Sequence, residues 1–116
     1  MKKDLSIKRN YQFRYIFKNA KPIRKYYTTT YVVKNRYKKN RLGITLNKEI
    51  KGAVNRNRAK RIVRESVNLL NKEIKHGYDI VINLNIFSKG LKSTEIYNEL
   101  KNVFRSMDLI NEENIN

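Results

Sequence analysis

The run Gly52 to Glu65, GAVNRNRAKRIVRE, restricts this chain more than any other stretch. At about 100° per residue, Arg56, Asn57, Lys60, Arg61 and Arg64 fall within about 140° of one side. Ala59, Ile62, Val63, Ser66, Leu69 and Leu70 gather on the other. A helix patterned in this way buries one stripe in a core and turns a cationic stripe outward. The pattern predicts a helix from near Gly52 to about Lys75, with Val67, Leu69, Leu70 and Ile74 extending the apolar side. His76-Gly77 then supplies a stop, Gly77 being suited to the left-handed position after a helix and His76 to pairing with the dipole. His76 has no supporting motif for catalysis.

The segments around it must supply the surface on which that stripe packs. YYTTTYVV, residues 26–33, contains only β-branched and aromatic types and predicts a strand. Tyr27, Thr29, Tyr31 and Val33 lie on one side of it and Tyr26, Thr28, Thr30 and Val32 on the other. Both sides carry polar atoms, which suits one face to an open surface. Arg41 to Asn47 alternates, with Leu42, Ile44 and Leu46 inward and Arg41, Gly43, Thr45 and Asn47 outward. The polar connection NRYKKN, residues 35–40, suits a hairpin between these strands. Tyr78 to Phe87 is nearly continuous in apolar residues, the mark of a strand buried on both faces in a parallel or mixed sheet. Asn83 and Asn85 interrupt it and need partners if buried.

Two shorter helices complete the pattern. Asn10 is a good N-cap type, and Phe13, Ile16 and Phe17 follow at helical spacing, predicting a helix from Tyr11 to Asn19 that ends before Pro22. A last helix opens at Ser93 or Thr94, with Ile96, Leu100, Val103, Phe104 and Met107 facing a core. Residues 1–9 look like a mobile basic arm and 108–116 like a frayed tail. The order is helix, strand, strand, long helix, strand, helix, which predicts one α+β sandwich over residues 1–116. A single Pro and four Gly leave no interdomain linker, and no internal repeat is visible.

Charge limits the partners. Residues 1–64 carry 21 Lys or Arg against only Asp4 and Glu49, whereas residues 65–116 carry 6 against 8 acids, so the net charge of +17 belongs to one part of the fold. Self-repulsion on this scale calls for a polyanionic partner, with nucleic acid the leading candidate. A solvated helix normally intersperses acids for i, i+4 support, but Arg56, Lys60 and Arg64 stack with like charge only. Arginine suits phosphate because its planar fork donates two hydrogen bonds at once. Charge alone leaves folded RNA and duplex DNA both open. A helix-turn-helix is disfavoured, because no short partner helix directly precedes the basic one.

Composition also removes several chemistries. Without cysteine there are no disulfides, thiolate zinc sites or cysteine nucleophile, in keeping with a reducing cytoplasm. No apolar run reaches 18 residues and no secretory pattern opens the chain, so neither a membrane span nor a signal is expected. The basic half lacks the clustered carboxylates of a metal-dependent protein nuclease, and no glycine-rich phosphate loop appears. The protein by itself does not look like a catalyst. The aromatics Tyr11, Phe13, Tyr15 and Phe17 lie among Arg14, Lys18, Lys21, Arg24 and Lys25. Core packing is the default role for such a stripe; stacking on unpaired bases is the other.

The central stretch closely resembles the bacterial ribonuclease P protein subunit. That family reads Ala-Val-x-Arg-Asn-x-x-Lys-Arg-x-x-Arg, matched here without a gap by Ala53, Val54, Arg56, Asn57, Lys60, Arg61 and Arg64. The resemblance extends over about residues 5–107, through Phe13 and Phe17, Tyr31, the strand Arg41 to Ile44, and Gly77 to Val81. It implies the small basic subunit of a ribonucleoprotein endonuclease whose RNA removes the 5′ leader of precursor tRNA with RNA-bound Mg2+. Lys48, Arg56, Asn57, Arg58, Lys60, Arg61 and Arg64 would then contact the catalytic RNA, and Phe13, Phe17 and Tyr31 the leader. It also implies an αβββαβα order with a small mixed sheet and a left-handed crossover, one strand more than the residue pattern shows. Lys48 is retained, but Glu49 stands where the family has a base, Gly52 where it has an Asn, and Asn85 where it commonly has an Arg. No function is carried onto Asn85. A noncatalytic RNA-binding module, such as a ribosomal protein or RNA chaperone, is the alternative.

Overall fold

Residues 6–111 are described by the computed structural model of the chain. The order is α1 (Asn10–Asn19), β1 (Ile23–Arg24), β2 (Thr28–Lys34), β3 (Arg41–Leu46), α2 (Ala53–Leu70), β4 (Tyr78–Leu84) and α3 (Ser93–Ser106). This is the αβββαβα arrangement that the resemblance implied. The additional strand is β1, a two-residue pairing of Ile23 with Thr30 and Arg24 with Thr29. It follows Pro22 directly and is too short to leave a periodic signal.

β4 lies inside the sheet, in the order β1-β2-β4-β3. It runs antiparallel to β2, from Thr28 opposite Leu84 to Lys34 opposite Tyr78, and parallel to β3, from Arg41 opposite Asp79 to Leu46 opposite Leu84. Its nearly unbroken apolar run follows from that central place. The expected hairpin over 35–40 is corrected by the same fact, because β4 separates the two strands. The connection instead passes across the end of β4, where the Asn35 N–H donates to the Gly77 carbonyl at 2.8 Å and the Tyr78 N–H to Asn40 Oδ1 at 3.0 Å.

α2 and α3 cover one face of the sheet. Val63, Leu70, Ile80, Ile82, Ile96, Leu100 and Phe104 meet there in the main core. α1 covers part of the opposite face, placing Ile16 and Ala20 against Val81 and Ile7. At the start of α1, Gln12 Oε1 accepts from the Lys8 and Arg9 N–H groups at 3.2 and 3.1 Å, reaching back over the helix end.

Three expectations about ends change. α2 stops at Leu70 rather than near Lys75, and Leu69 is 51% exposed while Val67 takes the inward place. The chain turns there so that Ile74 can pair with Ile110, reinforced by the Lys75 N–H to the Leu109 carbonyl and the Asn111 N–H to the Glu73 carbonyl, both at 2.7 Å. The first part of the expected tail is thus anchored, with Leu109 and Ile110 buried. Likewise Ser6 bridges to Leu42, the Ile7 N–H donates to the Leu42 carbonyl at 2.8 Å, and Ile7 is buried, so residues 6–9 are not a free arm. The remainder of those two expectations, residues 1–5 and 112–116, lies outside the described residues. His76 is exposed, with Nε2 3.1 Å from the Asn71 carbonyl at the end of α2.

Candidate nucleic-acid interface

The cationic face of α2 forms as its periodicity requires. Ala59, Ile62, Val63, Ser66, Val67 and Leu70 are held by the core, and Asn57, Arg58, Lys60, Arg61 and Arg64 are consequently exposed. Glu65 approaches Arg61 only at 3.9 Å, with both side chains more than half exposed, which contributes little in water. Among the described residues, Arg58, Lys60 and Arg64 have no ion pair. Lys60 and Arg64 overhang a groove of about 700 Å³ whose apolar floor includes Ile7, Leu42 and Ile44 and whose far side bears Lys8.

Arg56 differs from its neighbours. It is half-buried, and its Nη1 donates to the Ile50 carbonyl at 2.8 Å and lies 3.5 Å from the Asn47 carbonyl. Its guanidinium therefore fastens the loop that leads from β3 into α2. Gly52, at the helix cap, has φ 92° and ψ 136°, a region that only glycine adopts readily. No side chain caps the helix here, and the loop is held by Arg56 instead. Lys48 and Glu49 are exposed on the same loop.

A second surface lies where α1 crosses the sheet. The rings of Phe13 and Phe17 are 6.2 Å apart between centroids, and Phe17 meets Tyr31 edge-on at 4.8 Å. Ile16 takes the core position of this helix, whereas Phe17 remains 41% exposed. The expected trio Phe13, Phe17 and Tyr31 is thus brought together across two elements. Of the cations expected at the RNA face, Arg58 lies on α2 and Lys48 on the loop before it, both exposed.

Beside these aromatics the uncovered sheet offers a polar floor that the residue pattern did not assemble. Thr29, Asn83 and Thr45 align in one cross-strand row. The Thr45 hydroxyl donates to Asn83 Oδ1 at 2.8 Å, and Asn83 Nδ2 and the Thr29 hydroxyl both donate to Asn85 Oδ1 at 3.0 Å. Asn85 Nδ2 in turn donates to the Lys25 carbonyl at 3.1 Å. Asn85 therefore joins β2, β4 and the segment after β1, a structural role for a position to which the resemblance carried no function. The outward alternation of Gly43, Thr45 and Asn47 was the signal for this floor; the register with β4 was the missing piece.

Four carboxylates are engaged by other side chains. Arg41 holds Asp79, the tyrosine hydroxyls of residues 27 and 97 bind Glu95 and Glu73, and Thr28 binds Glu99. Among the described residues no three His, Cys, Asp or Glu side chains converge to hold a metal. Nor is any described helix long and apolar enough to cross a membrane. The arrangement can bind phosphates along α2 and stack bases beside α1.

Similarity to known proteins agrees with this geometry. Residues 1–108 match the Ribonuclease P family model. The chain is 34% identical over 110 residues to the ribonuclease P protein component of Clostridium botulinum (strain 657 / Type Ba4), covering 94% of this chain and 99% of the relative. Its fold resembles the Staphylococcus aureus RNase P protein, with a TM-score of 0.77, 28% identity, and coverage of 92% of this chain and 98% of that one. It also resembles the RNase P protein from Thermotoga maritima, with a TM-score of 0.70, 28% identity, and coverage of 81% and 89%.

Proposed function

The chain belongs to the ribonuclease P protein family, and on that premise we propose that α2 docks it onto the ribonuclease P RNA while the α1 cleft receives the single-stranded 5′ leader of precursor tRNA. It is the protein component of this ribonuclease, and the RNA is its partner. The observation that carries the proposal is the separation of two chemistries in one small fold. A row of exposed cations, of which only Arg61 nears an acid, lies on one helix, and an exposed Phe17 packed edge-on against a half-buried Tyr31 lies across the sheet.

In this reading Lys48, Arg56, Asn57, Arg58, Lys60, Arg61 and Arg64 contact the RNA subunit. Neutralising its phosphates releases condensed counterions, so binding weakens steeply with salt. Phe13, Phe17 and Tyr31 hold unpaired leader bases by stacking, worth about 1–3 kcal/mol per base. The polar floor of Thr29, Thr45 and Asn83 lies beneath the strand. Endonucleolytic hydrolysis is the work of the RNA in the cytoplasm, with Mg2+ bound mainly by that RNA. Of this chain's carboxylates, Asp79, Glu73, Glu95 and Glu99 are already bound to other side chains. The protein's contribution is to position two RNAs and to screen their repulsion.

Titrating the protein into a magnesium-limited cleavage assay with its cognate RNA tests the reading. Leader removal should occur at markedly lower magnesium, and the protein alone should cut nothing. Phe17→Ala should impair leader-bearing substrates more than leaderless ones. Equal affinity of the assembled complex for precursor and mature tRNA would favour a noncatalytic module, such as a ribosomal protein or RNA chaperone. Cleavage by RNA-free protein would overturn the assignment of chemistry to the RNA.

A further inference from the structure

We propose that a second aromatic groove, on the flank of α1 away from the leader cleft, binds an unpaired nucleotide of the RNA subunit. This rests on the docking of α2 proposed above. The groove, about 320 Å³, is lined by Tyr11 and Tyr15 from α1, Lys34, Arg36 and Tyr37 from the end of β2 and the loop after it, and Arg41 from β3. Tyr11, Tyr15 and Tyr37 are 61%, 60% and 60% exposed, so the core does not account for their rings.

One wall of the groove is built rather than loose. The Arg41 guanidinium lies over the Tyr37 ring, 4.6 Å from its centroid. Its Nε donates to Asp79 Oδ1 at 2.7 Å, Asn35 Nδ2 donates to the same oxygen at 2.9 Å, and the Tyr37 N–H donates to Asn35 Oδ1 at 2.8 Å. These contacts close a ring of interactions that fixes the Tyr37 backbone and orients the guanidinium. The one acid in the groove, Asp79, is consumed by Arg41 and Asn35. Lys34 and Arg36 are exposed and have no ion pair among the described residues. Flat aromatic faces with unpaired cations at the rim are the chemistry that holds an extruded base and its phosphate.

Continuity selects which RNA. Gln12 lines the groove and accepts from the Lys8 and Arg9 N–H groups, while Lys8 also lines the groove under Lys60 and Arg64. The two grooves therefore adjoin through the segment that carries Lys8 and Arg9, both exposed, which is tethered to β3 at Leu42. Around α1, Tyr15 and Phe17 point about 160° apart, so a leader lying in the Phe17 cleft meets the body of the helix before it reaches Tyr15. The RNA that already covers α2 reaches the groove without that obstacle.

The test uses the reconstituted holoenzyme. The double variant Tyr15→Ala, Tyr37→Ala should bind the RNA subunit about 10-fold or more weakly, as expected for lost base stacking. Tyr15→Phe, Tyr37→Phe, which keeps both rings, should bind like the parent. The melting temperature of the free double-alanine variant should fall by no more than a few degrees, from loss of the exposed Arg41-Tyr37 contact, and at saturating protein the preference for leader-bearing substrate should stay unchanged. A benzophenone-bearing residue at position 15 should crosslink to an unpaired nucleotide of the RNA subunit. Crosslinks to precursor tRNA, to an acidic protein or to paired RNA alone would overturn the proposal, as would equal weakening by the phenylalanine pair. Unchanged RNA affinity in the double-alanine variant, with Arg64→Ala still weakening it, would overturn the groove and leave α2 docking intact. Unchanged affinity in both would overturn the docking face and the groove together.

Discussion

Gly43 lies so close beneath Phe13 that a β-carbon built on the glycine would stand 2.7 Å from the Phe13 ring. Gly43 faces α1 from β3, opposite Val81, and its missing side chain is the space that Phe13 occupies. Gly43→Ala should therefore swing the ring toward solvent. Because Phe13 is only half-buried and can yield, the loss of stability should be near the low end for overpacking, about 1 kcal/mol by urea denaturation. The larger effect should be a reduced preference for leader-bearing over leaderless substrate. A full retention of that preference would remove Phe13 from the leader site.

Arg56 and Arg64 belong to one motif but should behave differently. Arg64→Ala should leave stability within about 0.5 kcal/mol and reduce the salt dependence of RNA binding by about one unit per lost phosphate contact. Arg56→Ala should weaken RNA binding and also cost about 1.5–3 kcal/mol, because the Ile50 carbonyl loses a charged donor. Arg56→Lys keeps a charged donor on a differently shaped side chain and should restore only part of this. Urea titrations and salt-dependent binding curves separate the two roles; identical behaviour would place Arg56 on the open face.

Asp79 concentrates the consequences at the other end of β4. Arg41 binds it with side chains only 17% and 10% exposed, and Asn35 adds a third hydrogen bond. Asp79→Ala leaves the Arg41 guanidinium without its carboxylate in a mostly buried place, and the Asn35 amide keeps only its bond to the Lys39 carbonyl. The expected cost is about 3 kcal/mol, seen as a lowered melting temperature. A shift of less than a degree would mean that water replaces the carboxylate without loss.

The contact between Tyr27 and Glu95 predicts a pH dependence of known sign. The Tyr27 hydroxyl donates to Glu95 Oε2 at 2.6 Å, and this bond, followed by that from the Lys92 N–H, holds the Glu95 carboxyl below its ordinary range. A carboxyl whose pKa is lower in the folded chain adds stability above its unfolded pKa of about 4.3 and loses it as pH falls through the folded value. Between pH 6 and pH 3 the parent should therefore lose more thermal stability than Glu95→Gln. Parallel melting curves for the two would show that the bond contributes nothing measurable.

Much of this fold is legible one element at a time. The spacing of Ala59, Ile62, Val63 and Ser66 assigned α2 its buried side and thereby the exposure of Lys60, Arg61 and Arg64. The β-branched run became β2, and the unbroken apolar run became the central strand β4. These features are local: a residue's side of a helix or strand follows from its position in a repeat of 3.6 or 2. The other features depend on partners distant in the chain. Insertion of β4 between β2 and β3 converted the expected hairpin into a connection across a strand end. Pairing of Ile74 with Ile110 ended α2 early and left Leu69 outside, and Leu42 captured Ile7 from what looked like a free arm. The meeting of Phe17 with Tyr31, the space that Gly43 leaves for Phe13, and the Tyr15-Tyr37 groove belong to the same group. Periodicity specifies which face of an element avoids water. Which neighbour covers that face, and what is left open beside it, depends on the packing of the whole domain.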